Sequence, residues 1–210
     1  MFIKYSACVE SINKPTGVIH VGAHEGQEGV QYAQNGVEKV VWVEANPDWV
    51  KVLKDKTGNL SIKEQNYFCN LISDEDNIEV DFNISNNQHS SSMLELGTHK
   101  IMYPHIRYVD KKKMKTKRMD TLLKENSIDI KDYQFLNVDV QGAELKVLKG
   151  FGTLLAHFDA LYLEVNKEEV YQGCALIGEI NEYVEKFGFK HTRERMERGK
   201  WGDALYLKQF

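Results

Sequence analysis

Glycine, histidine and carboxylate side chains recur at a few punctuated points of this 210-residue chain. In VIHVGAHEGQE, Gly22 and Gly26 stand between an apolar run and an amphipathic stretch. Glycines at such a turn let a ligand approach the backbone, and a helix start behind them offers unpaired N–H groups to a nucleotide-like molecule. The same glycines also serve where a helix must pack tightly on a strand. The spacing is not the dinucleotide fingerprint, because the glycines fall at 22, 26 and 29 and His24 stands where G-x-G-x-x-G requires glycine. Glu44 ends the run KVVWVE, 22 residues after Gly22. An acid there either accepts hydrogen bonds from ribose hydroxyls or favours the dipole of the helix that follows. Asp139 ends FLNVD, Glu164 ends ALYLE, and Asn166 lies two residues further on.

The elements needed to bring these residues together can be read from periodicity. GVIHVGA, a helix over residues 26–35, KVVWVEA and a helix over 47–57 form a βαβα opening. Asn46 caps the second helix, Pro47 suits its first turn, and Gly58 is expected to end it in a left-handed conformation. Strands over 62–71 and 78–84, separated by SDEDN, suggest a more antiparallel pattern. Residues 85–108 have weak periodicity and three histidines, the pattern of an active-site loop or lid. A charged strand over 113–119, a short helix over 120–125, the strand QFLNVDV, a helix over 142–155 and the strand ALYLEV resume the alternation. Leu176, Ile180, Tyr183, Val184 and Phe187 share a helical face that Gly188 ends, and FKHTRER and DALYLK pair across ERGKWG. The expectation is an α/β fold of about seven mainly parallel strands with a C-terminal antiparallel hairpin and helices on both faces. Its ligands should lie beyond the C-terminal ends of the parallel strands.

Composition narrows the function classes. Lysine plus arginine number 27 against 31 acids, a net charge of −4, so no global field draws the chain to nucleic acid or an anionic membrane. The one basic cluster, KKKMKTKRM, lacks aromatics for base stacking and reads as a solvated strand, with a phosphorylated or nucleotide-linked sugar as a further candidate partner. Cys8, Cys69 and Cys174 are odd in number and widely spaced, which fits neither a disulfide framework nor a zinc pattern and suggests a reducing, cytoplasmic setting. No secretory signal or membrane-length apolar run is apparent, and no linker divides the chain, so residues 1–210 read as one domain.

Taken in order, VIHVGAHEGQE, VVWVEANP, SSSML and FLNVDVQGAELKVLKG resemble the FkbM family of S-adenosylmethionine-dependent methyltransferases across nearly the whole chain. The resemblance implies a Rossmann-like class I methyltransferase fold, S-adenosylmethionine as methyl donor, and O-methylation, often of a sugar hydroxyl or polyketide-type product. It places Gly22, Ala23, His24 and Gly26 at the methionine end of the cofactor and Glu44 at the ribose, with Asn46 adjacent. The adenine is expected near Cys69, Asn70 and Leu71. Many relatives carry an aspartate in place of His20 and an acid in place of Gln141, and related methyltransferases carry a glycine in place of His24. Either histidine can donate to the cofactor carboxylate or simply orient the turn.

Methyl transfer to a hydroxyl requires alignment and a positioned base. Asp139 is one candidate, with anchoring of the cofactor's amino group as its alternative role. Glu164 is the other, expected across the transfer centre, with Asn166 beside it to bind the acceptor. Glu144 starts a helix, where an acid also serves the dipole. Ser91, central in the serine block, and His89 are expected to contact the acceptor from the loop. No metal is expected, because His99 and His105 lack carboxylates at ligand spacing. The leading expectation is therefore an O-methyltransferase acting on a sugar or glycoconjugate. The alternatives are a methyltransferase for nucleic acid or a small metabolite, and a non-catalytic module that binds an adenosine ligand.

Overall fold

The computed structural model describes residues 1–209. A seven-stranded sheet has the order β3-β2-β1-β7-β8-β10-β9. These strands are β1 (Gly17–Val21), β2 (Lys39–Glu44), β3 (Glu64–Cys69), β7 (Phe135–Val138), β8 (Ala160–Asn166), β9 (Phe189–Met196) and β10 (Trp201–Lys208). Strands β3, β2, β1, β7 and β8 run parallel, and β10 pairs antiparallel with both β8 and β9. The expected architecture holds, with one difference. Residues 64–69 pair parallel to β2 and do not begin an antiparallel region. The antiparallel part is a separate three-stranded sheet of β4 (Leu71–Ile72), β5 (Glu79–Ser85) and β6 (Tyr108–Lys117). Alternation along 62–71 did not reveal that the chain changes sheet at Asn70.

The strands at the sheet centre are apolar on both sides because both faces are covered. One face packs Ile19, Val43, Val138 and Leu163 against α5 (Met119–Glu125), α6 (Glu144–Phe151) and α7 (Ile177–Glu185). The other packs Val18, Trp42, Phe135 and Tyr162 against α1 (Tyr5–Cys8), α2 (Gly29–Gln34) and α3 (Pro47–Thr57). Successive residues of a strand point to opposite faces, so each strand feeds both cores.

The caps set where α3 and α7 begin and end. The Asp48 N–H donates to Asn46 Oδ1 at 3.2 Å, and Pro47 opens α3. Gly58 is right-handed at φ −60°, contrary to the left-handed stop expected there. Its N–H donates to the Lys54 carbonyl at 2.9 Å, so it continues the helical turn and does not reverse it. Gly188, beyond α7, does turn left-handed at φ +82°.

The stretch over 85–108 is firmly tied rather than loose. It contains α4 (His99–Met102), and Ser92 and Asn83 exchange two backbone hydrogen bonds. Among the described residues no helix is long and apolar enough to cross a membrane.

Candidate functional site

At the C-terminal ends of the parallel strands lies a cavity of about 510 Å³. Its floor at β1 is dictated by close backbone approach. Gly22 has φ +80°, and a Cβ there would sit 1.7 Å from the Asp139 carbonyl oxygen, so any side chain would force β1 and β7 apart. The Gly22 and Ala23 N–H groups both donate to the Val43 carbonyl, at 2.9 and 3.0 Å. His24 follows with φ +46°, a left-handed backbone that histidine adopts more readily than most residues.

Glu44 is buried at the end of β2. One carboxylate oxygen accepts from the His24 N–H at 2.8 Å and the other from the Asn46 N–H at 2.7 Å. Burial raises its pKa, while these backbone donors act in the opposite direction. Two acceptors on each oxygen leave capacity for a pair of ligand hydroxyls. Further along, Asn70 and Leu71 line the cavity with Phe82 and Met93, giving an apolar slot beside an amide. Cys69 is exposed and off the wall.

The histidines of the first turn have different surroundings. His20 is buried, with Nδ1 3.3 Å from the Tyr32 hydroxyl, which itself accepts from Asn137 Nδ2 at 2.8 Å. The Tyr32 hydroxyl thus shares hydrogen bonds with both His20 Nδ1 and Asn137, and burial lowers the His20 pKa. The His24 ring lies between Trp49 and His89, at centroid distances of 3.8 and 4.3 Å. Both of its ring nitrogens are buried without a partner, and burial and His89 lower its pKa to about 4. A neutral imidazole with two unsatisfied nitrogens in the cavity wall is suited to meet a polar ligand group.

The ends of β7 and β8 carry the carboxyl groups. Gln141, left-handed at φ +58°, donates through Nε2 to Asp139 Oδ1 at 2.7 Å and to Glu164 Oε2 at 2.6 Å. Its Oε1 accepts from the Tyr171 hydroxyl at 2.6 Å, and its carbonyl accepts from Ser92 Oγ at 2.7 Å. One amide thus spends both protons on two carboxyls, so Asp139 and Glu164 form a bridged pair instead of standing across a transfer centre from each other. Gly142 is part of the same device, since a Cβ there would lie 2.9 Å from Tyr171 Cβ. Burial, then the charges of Asp139 and Glu144, push the Glu164 pKa well above the usual carboxylate range. Glu144 beneath it accepts from the Val140 and Gly142 N–H groups at 3.1 and 3.0 Å, and burial raises it to about 7.

Most of the expected site residues meet at this cavity: His20, Gly22, Ala23, His24, Glu44 and Asn46, then Asn70, Leu71, His89, Ser91, Asp139 and Glu164. Gly26 and Asn166 do not reach its wall. A Cβ on Gly26 would lie 2.4 Å from Thr57 Cγ2, so this glycine serves helix packing, the alternative open from sequence. Asn166 is fully buried and faces Trp201 across the β8–β10 pairing. In the serine block, Ser91 accepts from the Ser85 N–H at 3.1 Å and so ties the loop to β5, while Ser92 holds Gln141. Sequence reasoning missed Gln141, Tyr171 and Asp203 as site residues. Asp203 lines the cavity, is paired in register with Glu164, and accepts from the Phe2 N–H at 2.6 Å and the Tyr162 hydroxyl. Burial pushes it up to about 6. Gln141 stood in the motif itself, but the other two carry no local signal. No cluster of three metal-ligating side chains occurs among the described residues.

Solved structures share this fold at low identity. Magnesium protoporphyrin IX methyltransferase from Synechocystis PCC 6803, with bound SAM, is 13% identical over 96% of this chain and 74% of that one, with a TM-score of 0.52. Precorrin-6y C5,15-methyltransferase from Geobacter metallireducens is 7% identical over 95% and 83%, with a TM-score of 0.51. A protein of the NADB-Rossmann superfamily from Streptococcus agalactiae is 9% identical over 96% and 65%, with a TM-score of 0.53. Comparison with curated protein sequences gives no match. Residues 20–191 match the methyltransferase FkbM domain, a span that includes the glycine turn, Glu44, the serine block and the Asp139–Gln141–Glu164 bridge. The unpartnered His24 nitrogens, the spare acceptors of Glu44 and the apolar slot at Leu71 suit the methionine, ribose and adenine parts of S-adenosylmethionine, respectively. The chain belongs to the FkbM methyltransferase family and is a methyltransferase with S-adenosylmethionine as its cofactor.

Proposed function

We propose that the chain methylates a hydroxyl of a sugar or glycoconjugate. The carrying observation is the carboxyl pair Asp139–Glu164, tied by Gln141 in the same cavity as Glu44. When bound, S-adenosylmethionine supplies an electrophilic methyl on a cationic sulfur. Glu164 is the base in this reading. Burial and the charges of Asp139 and Glu144 raise its pKa and so make its carboxylate more basic than an exposed one, and Gln141 fixes one of its oxygens at 2.6 Å. Asp139 holds the acceptor or the cofactor's amino group from the other arm of the bridge. Tyr103 and Trp201, joined by a 3.3 Å hydrogen bond on the wall, offer ring faces against which sugar C–H groups stack while carboxylates take the hydroxyls. His89 and Ser91 close the site from the loop over β5.

We read the lysine run as a solvated face and not as a nucleic-acid site. Lys111, Lys112, Lys113 and Lys117 are each paired with an acid on the second sheet or beside it. Three free cysteines favour a cytoplasmic, reducing setting. Labelled S-adenosylmethionine with a glycan panel, followed by location of the methyl group by mass spectrometry, tests the reading. A methyl ether on a sugar hydroxyl is expected. Label found only on nitrogen, carbon or nucleic acid would overturn it.

A further inference from the structure

The cavity is uneven in charge. Its wall carries Glu28, Glu44, Asp139, Glu164 and Asp203, and no lysine or arginine among the described residues. The sheet order separates these acids. Glu44 is on β2, at the end assigned to the cofactor, whereas Asp139, Glu164 and Asp203 follow or lie on β7, β8 and β10 at the other end. The Met1 ammonium, which also reaches the wall, donates to Glu28 at 2.8 Å.

The remaining wall at the β8–β10 end is aromatic. Phe2 and Trp201 rings lie 5.4 Å apart, and Trp201 donates to Tyr103. His99 lines the same region at 6% exposure, packed 5.0 Å from Tyr103 and 5.6 Å from Tyr171 between centroids, with Nδ1 unpartnered. Burial and His105 lower its pKa, so it is a neutral hydrogen-bonding group and not a counter-ion for an anion. An unsatisfied buried imidazole beside ring faces points to a polar, uncharged ligand group at this end.

Building on the sugar reading above, we propose that the acceptor site is selective for charge: it takes neutral or amine-bearing sugars and rejects phosphorylated, nucleotide-linked and uronic-acid sugars. An anion beside Asp139 and Asp203 would meet like charge in a partly desolvated cavity whose one lining protein cation among the described residues, the Met1 ammonium, is already held by Glu28. It would also hold the proton on Glu164 and so disable the base. An ammonium does the reverse on both counts and can stack on Trp201 or Tyr103. The paired lysines of β6 are on the other sheet and do not change this balance.

The test compares kcat/KM for labelled methyl transfer to neutral, amino and anionic members of one glycan library. Anionic members should fall at least ~30-fold below their neutral counterparts, and the gap should shrink with added salt. Asp203→Lys should narrow the gap about tenfold, with Asp203→Asn giving the same direction if the lysine variant fails to fold. Equal rates for anionic and neutral sugars would overturn the charge selectivity and leave the sugar reading standing. Methylation of no sugar of any charge would remove the reading and this inference with it.

Discussion

At the ends of β1 and β2 the cavity wall is organised by main chain. Gly22 and Ala23 N–H groups meet Val43, and Glu44 is gripped by two backbone donors from residues 24 and 46. At the ends of β7, β8 and β10 it is organised by side chains distant in sequence: Gln141 to Glu164, Tyr171 to Gln141, Ser92 to the Gln141 carbonyl, and Tyr162 to Asp203. A backbone-built half tolerates few sequences but needs few long-range partners, which suits a ligand common to a family. A side-chain-built half can be altered one residue at a time, which suits acceptors that differ among relatives. The two halves should therefore separate under mutation.

The largest effect is expected on the side-chain half. Glu164→Gln should lower turnover about 10²–10⁴-fold while S-adenosylmethionine affinity is largely kept, because in the role proposed for it Glu164 is a base and not a cofactor contact. Single-turnover kinetics with calorimetry reads both quantities. Near-normal turnover across pH 6–9 would deny Glu164 the role and leave proximity and alignment as the main devices.

On the backbone half, Glu44→Ala should weaken S-adenosylmethionine binding by about 1.5–3 kcal/mol, roughly 10- to 100-fold, through lost charged acceptors. The His24 and Asn46 N–H groups lose their acceptor as well, so some loss of stability should accompany the loss of affinity. Titration calorimetry on the folded variant decides, and unchanged affinity would detach Glu44 from the cofactor and blur the division between the halves.

The smallest effect on catalysis concerns Glu144, which lies beneath the carboxyl pair. Its folded pKa of about 7 lies above the ordinary 4.5, so the folded state holds the proton more tightly and stability falls as pH rises through that interval. Glu144→Gln retains an acceptor for Val140 and Gly142 but cannot ionise. Relative to the parent it should gain about 2–3 kcal/mol of stability between pH 5 and pH 8. Urea unfolding at the two pH values measures this, and parallel stability curves would show that Glu144 does not titrate in that window.

Legibility followed the same division. The turn at Gly22, the acid at Glu44, the Asn46–Pro47 helix start and most of the alternation of strands with helices were readable because each depends on residues within one turn or one period of the chain. Gly58 shows the limit even there, since the helix does end at that point but without the left-handed turn expected of the glycine. Asn166 shows another, because its place two residues past Glu164 suggested the site, whereas the β8–β10 pairing buries it. Gln141 was visible in the motif as a departure from the family acid, but not as a bridge, because its meaning depends on Tyr171 and Glu164.

What the sequence determined by itself was the alternation of buried strands with amphipathic helices, and with it the edge of the sheet where ligands gather. Period and capping are local, and a strand covered on both faces must be apolar at every position. What only the tertiary structure decided was which polar groups at that edge face one another: one amide tying two carboxyls, Asp203 beside Glu164, and a cavity wall with no lysine or arginine among the described residues. Those relations are set by the register of strands far apart in the chain, and by the burial that raises the pKa of carboxyls such as Glu164 and Glu144.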